Sequence, residues 1–151
     1  MKLNEKKIVI TSAVRTAVGE FGGSLKNMQG HDLGSIVVKK AMKNSKLKPS
    51  DVDELIMGQV LTGAAGQNPA RQAAIQAGLP IDKTAYVINQ VCGSGLRSVA
   101  AGYQAIMSND SQIVIAGGQE SMSNAPHAIN VREGQKLEES KLIDTMIKDG
   151  L

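Results

Sequence analysis

Short apolar runs alternate with longer amphipathic ones along this chain. Ile8-Val9-Ile10, within residues 7–14, predicts a first strand. A glycine-rich loop over 15–30 follows. Residues 31–46 then read as a helix, with Leu33, Ile36, Val37 and Ala41 recurring on one face at the 3.6-residue period. Asp32 in its first turn and lysines in its last suit the helix dipole. Residues 54–61 predict a second strand, ending in a loop over 62–67. Asn68 is placed to cap a second helix over 70–77, with Pro69 at its first position and Gly78 and Pro80 beyond its end. Residues 85–90 predict a third strand, 94–107 a third helix rich in small residues, and 111–117 a fourth strand. The strands are short and barely alternate, which fits a sheet covered on both faces. The β-α-β-α-β-α-β order therefore predicts an α/β fold with a mainly parallel sheet. After Ser121 the pattern fades: 123–141 is polar and loop-like, and 142–147 begins something helical.

Composition narrows the classes. The 151 residues suffice for one domain with a real core, and 42% hydrophobic with 21% charged residues is ordinary for a globular chain. Aromatics are only 2%, so the core must come from Ile, Val, Leu, Met and Ala. The net charge of +3 rests largely on lysines such as Lys39, Lys40, Lys43, Lys46 and Lys48, which form the solvated face of one predicted helix. With so few rings to stack on bases, no nucleic-acid partner is expected. No run approaches a membrane span, the short apolar run after the charged start does not read as a signal-peptide core, and a single cysteine makes no internal disulfide; a cytoplasmic location is expected.

That cysteine carries the chemistry. Cys92 lies between the third predicted strand and the third predicted helix, in Gln90-Val91-Cys92-Gly93-Ser94-Gly95-Leu96-Arg97. Parallel sheets place ligands beyond the carboxyl ends of their strands. A helix N-terminus offers partial positive charge and free N–H groups, which favour a thiolate. Other motifs fail. The third glycine of a dinucleotide fingerprint would fall at Ser98, and neither Asp110 nor Glu120 sits where that motif needs its acid. A nucleophile elbow fails because Cys92 and Leu96 flank Ser94. His31 and His127 are isolated, so no metal site is expected. No base for Cys92 is identifiable from spacing.

The chain resembles the N-terminal part of the thiolases, of the acetyl-CoA acetyltransferase kind. The resemblance runs through Ile10-Thr11-Ser12-Ala13-Val14-Arg15-Thr16-Ala17-Val18-Gly19, Met57-Gly58-Gln59-Val60-Leu61, Gly66-Gln67-Asn68-Pro69-Ala70-Arg71, Asn89-Gln90-Val91-Cys92-Gly93-Ser94-Gly95-Leu96 and Ala116-Gly117-Gly118-Gln119-Glu120-Ser121-Met122-Ser123. It implies a layered α-β-α half-domain over 1–121, incomplete at its C-terminus, with 122–151 as the start of the family's loop region and the C-terminal domain absent. It implies condensation of two acetyl-CoA to acetoacetyl-CoA and CoA, reversibly, through an acetyl-Cys92 thioester whose N–H helps form an oxyanion hole. Cofactors are expected to be none, with coenzyme A thioesters as substrates. The family's Gly-His-Pro, Cys-x-Gly and Asn-Glu-Ala-Phe motifs are not in this sequence. The chain alone is therefore expected to be inactive or to need a C-terminal partner, possibly separately encoded as a complementary half. The complete protein is expected to be a dimer or tetramer. A non-catalytic remnant or assembly partner, and a longer-chain 3-ketoacyl-CoA thiolase, are the alternative readings.

Overall fold

A computed structural model of the chain describes residues 7–131, 134 and 141–151. Three parallel strands form its centre: β1 (Glu54–Gly58), β2 (Thr84–Ile88) and β3 (Val114–Gly118), in the order β2-β1-β3. Leu55 stands opposite Ala85 and Ile115, and Met57 opposite Val87 and Gly117. Successive strand residues face opposite sides. One face therefore presents Leu55, Met57, Ala85, Val87, Ile113 and Ile115, which pack with Val38, Met42, Ala70, Ala73, Ala74 and Ala77 of helices α1 (Gly30–Asn44) and α2 (Pro69–Ala77). The other face carries Ile56, Val114 and Ala116 toward α3 (Ser94–Met107), where Gly102 leaves room for Val114.

This layering follows from handedness. The chain moves outward from β1 to β2 through α2, then back across β1 to β3 through α3. Right-handed crossovers in opposite directions must lie on opposite faces of the sheet. The exits of β1 and β2 thus leave to different faces, and a crevice opens between them.

The helix boundaries follow local chemistry. Asn68 Oδ1 accepts the Arg71 N–H at 3.2 Å, Pro69 opens α2, and Gly78 closes it in the left-handed region at φ 93°. Helix α1 starts where the Asp32 carboxylate accepts the Gln29 N–H at 3.0 Å. Its buried face differs from the expected one. Gly34, Ser35, Val38 and Met42 are buried, whereas Ile36 is exposed and Leu33, Val37 and Ala41 border a large cavity. Close packing of α1 on α2 selects the smaller residues: a Cβ on Gly34 would stand 3.3 Å from the Ala73 Cβ and collide with the Gln119 side chain.

The predicted first strand is not formed. Residues 7–20 carry no regular structure, and Val9 and Ile10 are 73% and 79% exposed. Both edges of β1 are occupied by β2 and β3. The N-terminal segment and β3 share the lining of a cavity of about 850 Å³, with Ile8, Ile10 and Val14 from the segment and Val114 and Ala116 from the strand. An apolar run becomes a strand only beside a partner, so the described order is α-β-α-β-α-β. Late in the chain, β4 (His127–Ala128) pairs antiparallel with β5 (Ile143–Asp144), where a loop and a helix start were expected, and a short π-helical turn, Met146–Gly150, follows. Part of the loop expected over 123–141 lies outside the described residues.

Asp53 ties β3 to the start of β1. One of its oxygens accepts the Gln112 and Ile113 N–H groups at 2.8 and 3.0 Å, and Lys83 lies 3.6 Å from the other. Those amide bonds, then Lys83, hold its carboxyl below the usual aspartate range. A depressed carboxylate stabilises the fold above its unfolded pKa, and this contribution is lost as pH falls through the folded value. Asp53→Asn is expected to lower the melting temperature at neutral pH and to narrow the gap between neutral and strongly acidic melting temperatures. An unchanged gap in thermal scans contradicts this.

Candidate active site

The turn that presents Cys92 is built from the backbone outward. After β2, Asn89 Oδ1 accepts the Val91 N–H at 2.9 Å. Val91 then takes φ 49°, a left-handed conformation that a β-branched residue rarely adopts. Such a residue stores roughly 1–3 kcal/mol and persists only where its surroundings dictate it. Here they do. The buried Ser94 hydroxyl donates to the Val91 carbonyl at 2.6 Å and accepts the Gln90 N–H at 2.8 Å, while the Gly93 and Ser94 amides bond back to Gln90 and Val91. The result is a closed loop with the Cys92 thiol exposed on its outer side. Helix α3 begins at Ser94, with Gly93 as a cap that supplies no side-chain acceptor. Its first-turn amides lack intrahelical partners and aim their partial positive charge toward the turn.

Below the turn the backbones touch. A Cβ on Gly58 would lie 2.4 Å from the Ser94 carbonyl carbon and 2.5 Å from the Gly95 nitrogen. The end of β1 thus sits directly against the first turn of α3, an approach only glycine permits. Ser98, fully buried one turn on, has its hydroxyl 2.7 Å from the carbonyl oxygens of both Gly95 and Gly117, fixing α3 to β3.

A cavity of about 420 Å³ opens at this junction, at the carboxyl ends of all three strands. Cys92, Ser94 and Gly95 line it from α3's side, Gly58–Leu61 from β1 and Gly118–Glu120 from β3, with Met146 and Leu151 also in the lining. Gln119 Nε2 donates to Gln59 Oε1 at 2.9 Å, and Gln59 Nε2 to the Leu61 carbonyl at 3.0 Å. Glu120 accepts the Val60 and Leu61 amides. Burial pushes its carboxyl above the usual glutamate range, and the two amide bonds oppose that shift. An exposed thiol, a helix start and an adjoining cavity can together support attack on a carbonyl.

Neither histidine lines this cavity. His31, at the start of α1, has its Nε2 3.7 Å from Asp32, and His127 on β4 lies 3.9 Å from Asp144. Among the described residues no three His, Cys, Asp or Glu side chains gather as a metal site, and no helix is long and apolar enough to cross a membrane. The sequence points to Cys92 and gives no part to Ser94, Gly58 or Glu120. A serine opening a helix, S94 after Gly93, was the one local signal; the other two act through contacts between distant segments.

A family model described as the thiolase N-terminal domain matches residues 8–151. The chain is 58% identical over 145 residues to an acetyl-CoA acetyltransferase of Paracoccus denitrificans, covering 96% of this chain and 37% of that protein. It is 52% identical over 149 residues to the acetyl-CoA acetyltransferase of Rhizobium meliloti, covering 99% and 38%. The cytosolic acetyl-CoA acetyltransferase of Rattus norvegicus is 44% identical over 151 residues, covering 100% and 38%. The chain belongs to the thiolase family, matching its N-terminal domain. It spans a little over a third of the length of these curated relatives.

Proposed function

We propose that this chain supplies the acyl-carrying nucleophile of an acetyl-CoA acetyltransferase. The observation that carries this reading is the Cys92 turn: an exposed thiol at the start of α3, opening on the cavity at the strand ends. The Cys92 thiolate attacks the carbonyl carbon of acetyl-CoA. The tetrahedral oxyanion is stabilised by the Cys92 N–H and the positive end of α3. The C–S bond to coenzyme A breaks, coenzyme A leaves as the thiol after taking a proton, and the acetyl group stays on Cys92 as a thioester. A second acetyl-CoA, losing an α-proton, attacks that thioester to give acetoacetyl-CoA and restores the thiol. Dividing the transfer in two avoids one difficult step. The thioester needs no redox or metal cofactor for this sequence.

The names of the relatives support acetyl-CoA as substrate. The proton-transfer groups that the resemblance implies lie in motifs outside this sequence. The test is acetoacetyl-CoA formation from acetyl-CoA, measured for the chain alone and for the chain continued to the relatives' full length. Turnover in the longer protein, with acetylation but no turnover in the chain alone, is the expected result. Absence of turnover in the longer protein contradicts the reading.

A further inference from the structure

Glu120 stands two residues beyond β3, and its carboxylate reaches across to the chain leaving β1. One oxygen accepts the Val60 N–H at 2.8 Å and the other the Leu61 N–H at 3.2 Å. One side chain thus holds two consecutive amides of a segment sixty residues away, and that segment forms a wall of the Cys92 cavity. Among the described residues no Lys, Arg or His lines this cavity, and its titratable side chains are Glu120 and Cys92. On its other side Glu120 borders the larger cavity, where Arg15 and Glu20 of the N-terminal segment also lie; neither is ion-paired with it.

The chemistry of the clamp is demanding. Both partners are N–H donors, so both oxygens must accept. An ionised carboxylate does this, whereas a protonated one turns an O–H donor against an N–H donor. Burial makes that protonation easier than for an ordinary glutamate. We propose that Glu120 is a positioning residue for acyl transfer at Cys92: ionised, it fixes the Val60–Leu61 wall of the cavity, and protonated, it releases that wall. This rests on the reading of Cys92 as the acyl carrier. Glu120→Gln presents an NH₂ to one amide at every pH, so it imitates the protonated state permanently.

The experiment has two arms on the intact protein. The first follows the Val60 and Leu61 amide resonances by NMR from neutral to acidic pH. Both are expected to move with one shared midpoint, above the ordinary glutamate range. The second measures single-turnover acetylation of Cys92 by acetyl-CoA in wild type and Glu120→Gln, taking the ratio so that ionisation of Cys92 itself cancels. Misplacing a wall by about an ångström slows a reaction by up to roughly a hundred-fold, so a ratio of about ten to a hundred is expected at neutral pH. It should fall toward one below the amide midpoint. Amides that do not titrate together, or a ratio constant across pH, overturn the proposal. Shared amide titration with no acetylation of Cys92 in either protein overturns the acyl-carrier reading instead, and leaves the carboxylate switch in place.

Discussion

Cys92→Ser is expected to slow acetyl transfer from acetyl-CoA by roughly a thousand-fold or more while leaving the fold intact. The two halves of that expectation have separate causes. A serine hydroxyl at neutral pH is scarcely ionised, and among the described residues no histidine lines the cavity to take its proton. Thiols are intrinsically far better nucleophiles than hydroxyls. The side chain is also exposed, and the turn around it is held by Asn89, Ser94 and backbone groups rather than by sulfur. Circular dichroism and melting temperature should therefore match wild type. A Cys92→Ser protein that retains a tenth or more of the transfer rate contradicts the nucleophile assignment.

Gly58→Ala is expected to destabilise the fold by about 1–3 kcal/mol, as overpacking in a close-packed interior does. Its methyl group would meet the Ser94 carbonyl carbon at 2.4 Å and oxygen at 2.7 Å, backbone atoms that cannot rotate aside. The first turn of α3 must shift, and Cys92 with it, so acetyl transfer should fall further than the stability loss alone explains. Gly95→Ala is the control on the same junction. Its Cβ would meet nothing closer than Gly118 Cα at 3.8 Å, ordinary contact, and alanine favours the helix. Denaturant titration of the two variants should separate them clearly. Equal midpoints for Gly58→Ala and wild type would mean that the junction yields freely.

The pattern of residues made the helices legible and left the contacts between segments unread. Helix α3 falls at residues 94–107 as its spacing predicts, because its limits are set locally by Gly93 and by a turn at Ser108 and Asn109. Helix α2 was similarly legible from Asn68, Pro69 and Gly78. The run at Ile8–Ile10 has strand composition, yet a strand also needs a neighbour, and the run pairs with neither open edge of the sheet. The face of α1 was misjudged because hydrophobicity pointed to Ile36, while close approach to α2 and Gln119 selected Gly34 and Val38. At the site, Cys92 was legible because strand end and helix start adjoin in sequence. Glu120 was not: it is sixty residues from the amide of Val60, and only the parallel order β2-β1-β3 brings them together.

Whether Cys92 carries the acyl group is decided by peptide mapping after brief exposure to acetyl-labelled acetyl-CoA. Label is expected on the peptide containing Cys92, approaching one acetyl per chain, and should be removed when free coenzyme A is added. Label confined to lysines and stable to coenzyme A, or no label on that peptide, would contradict it.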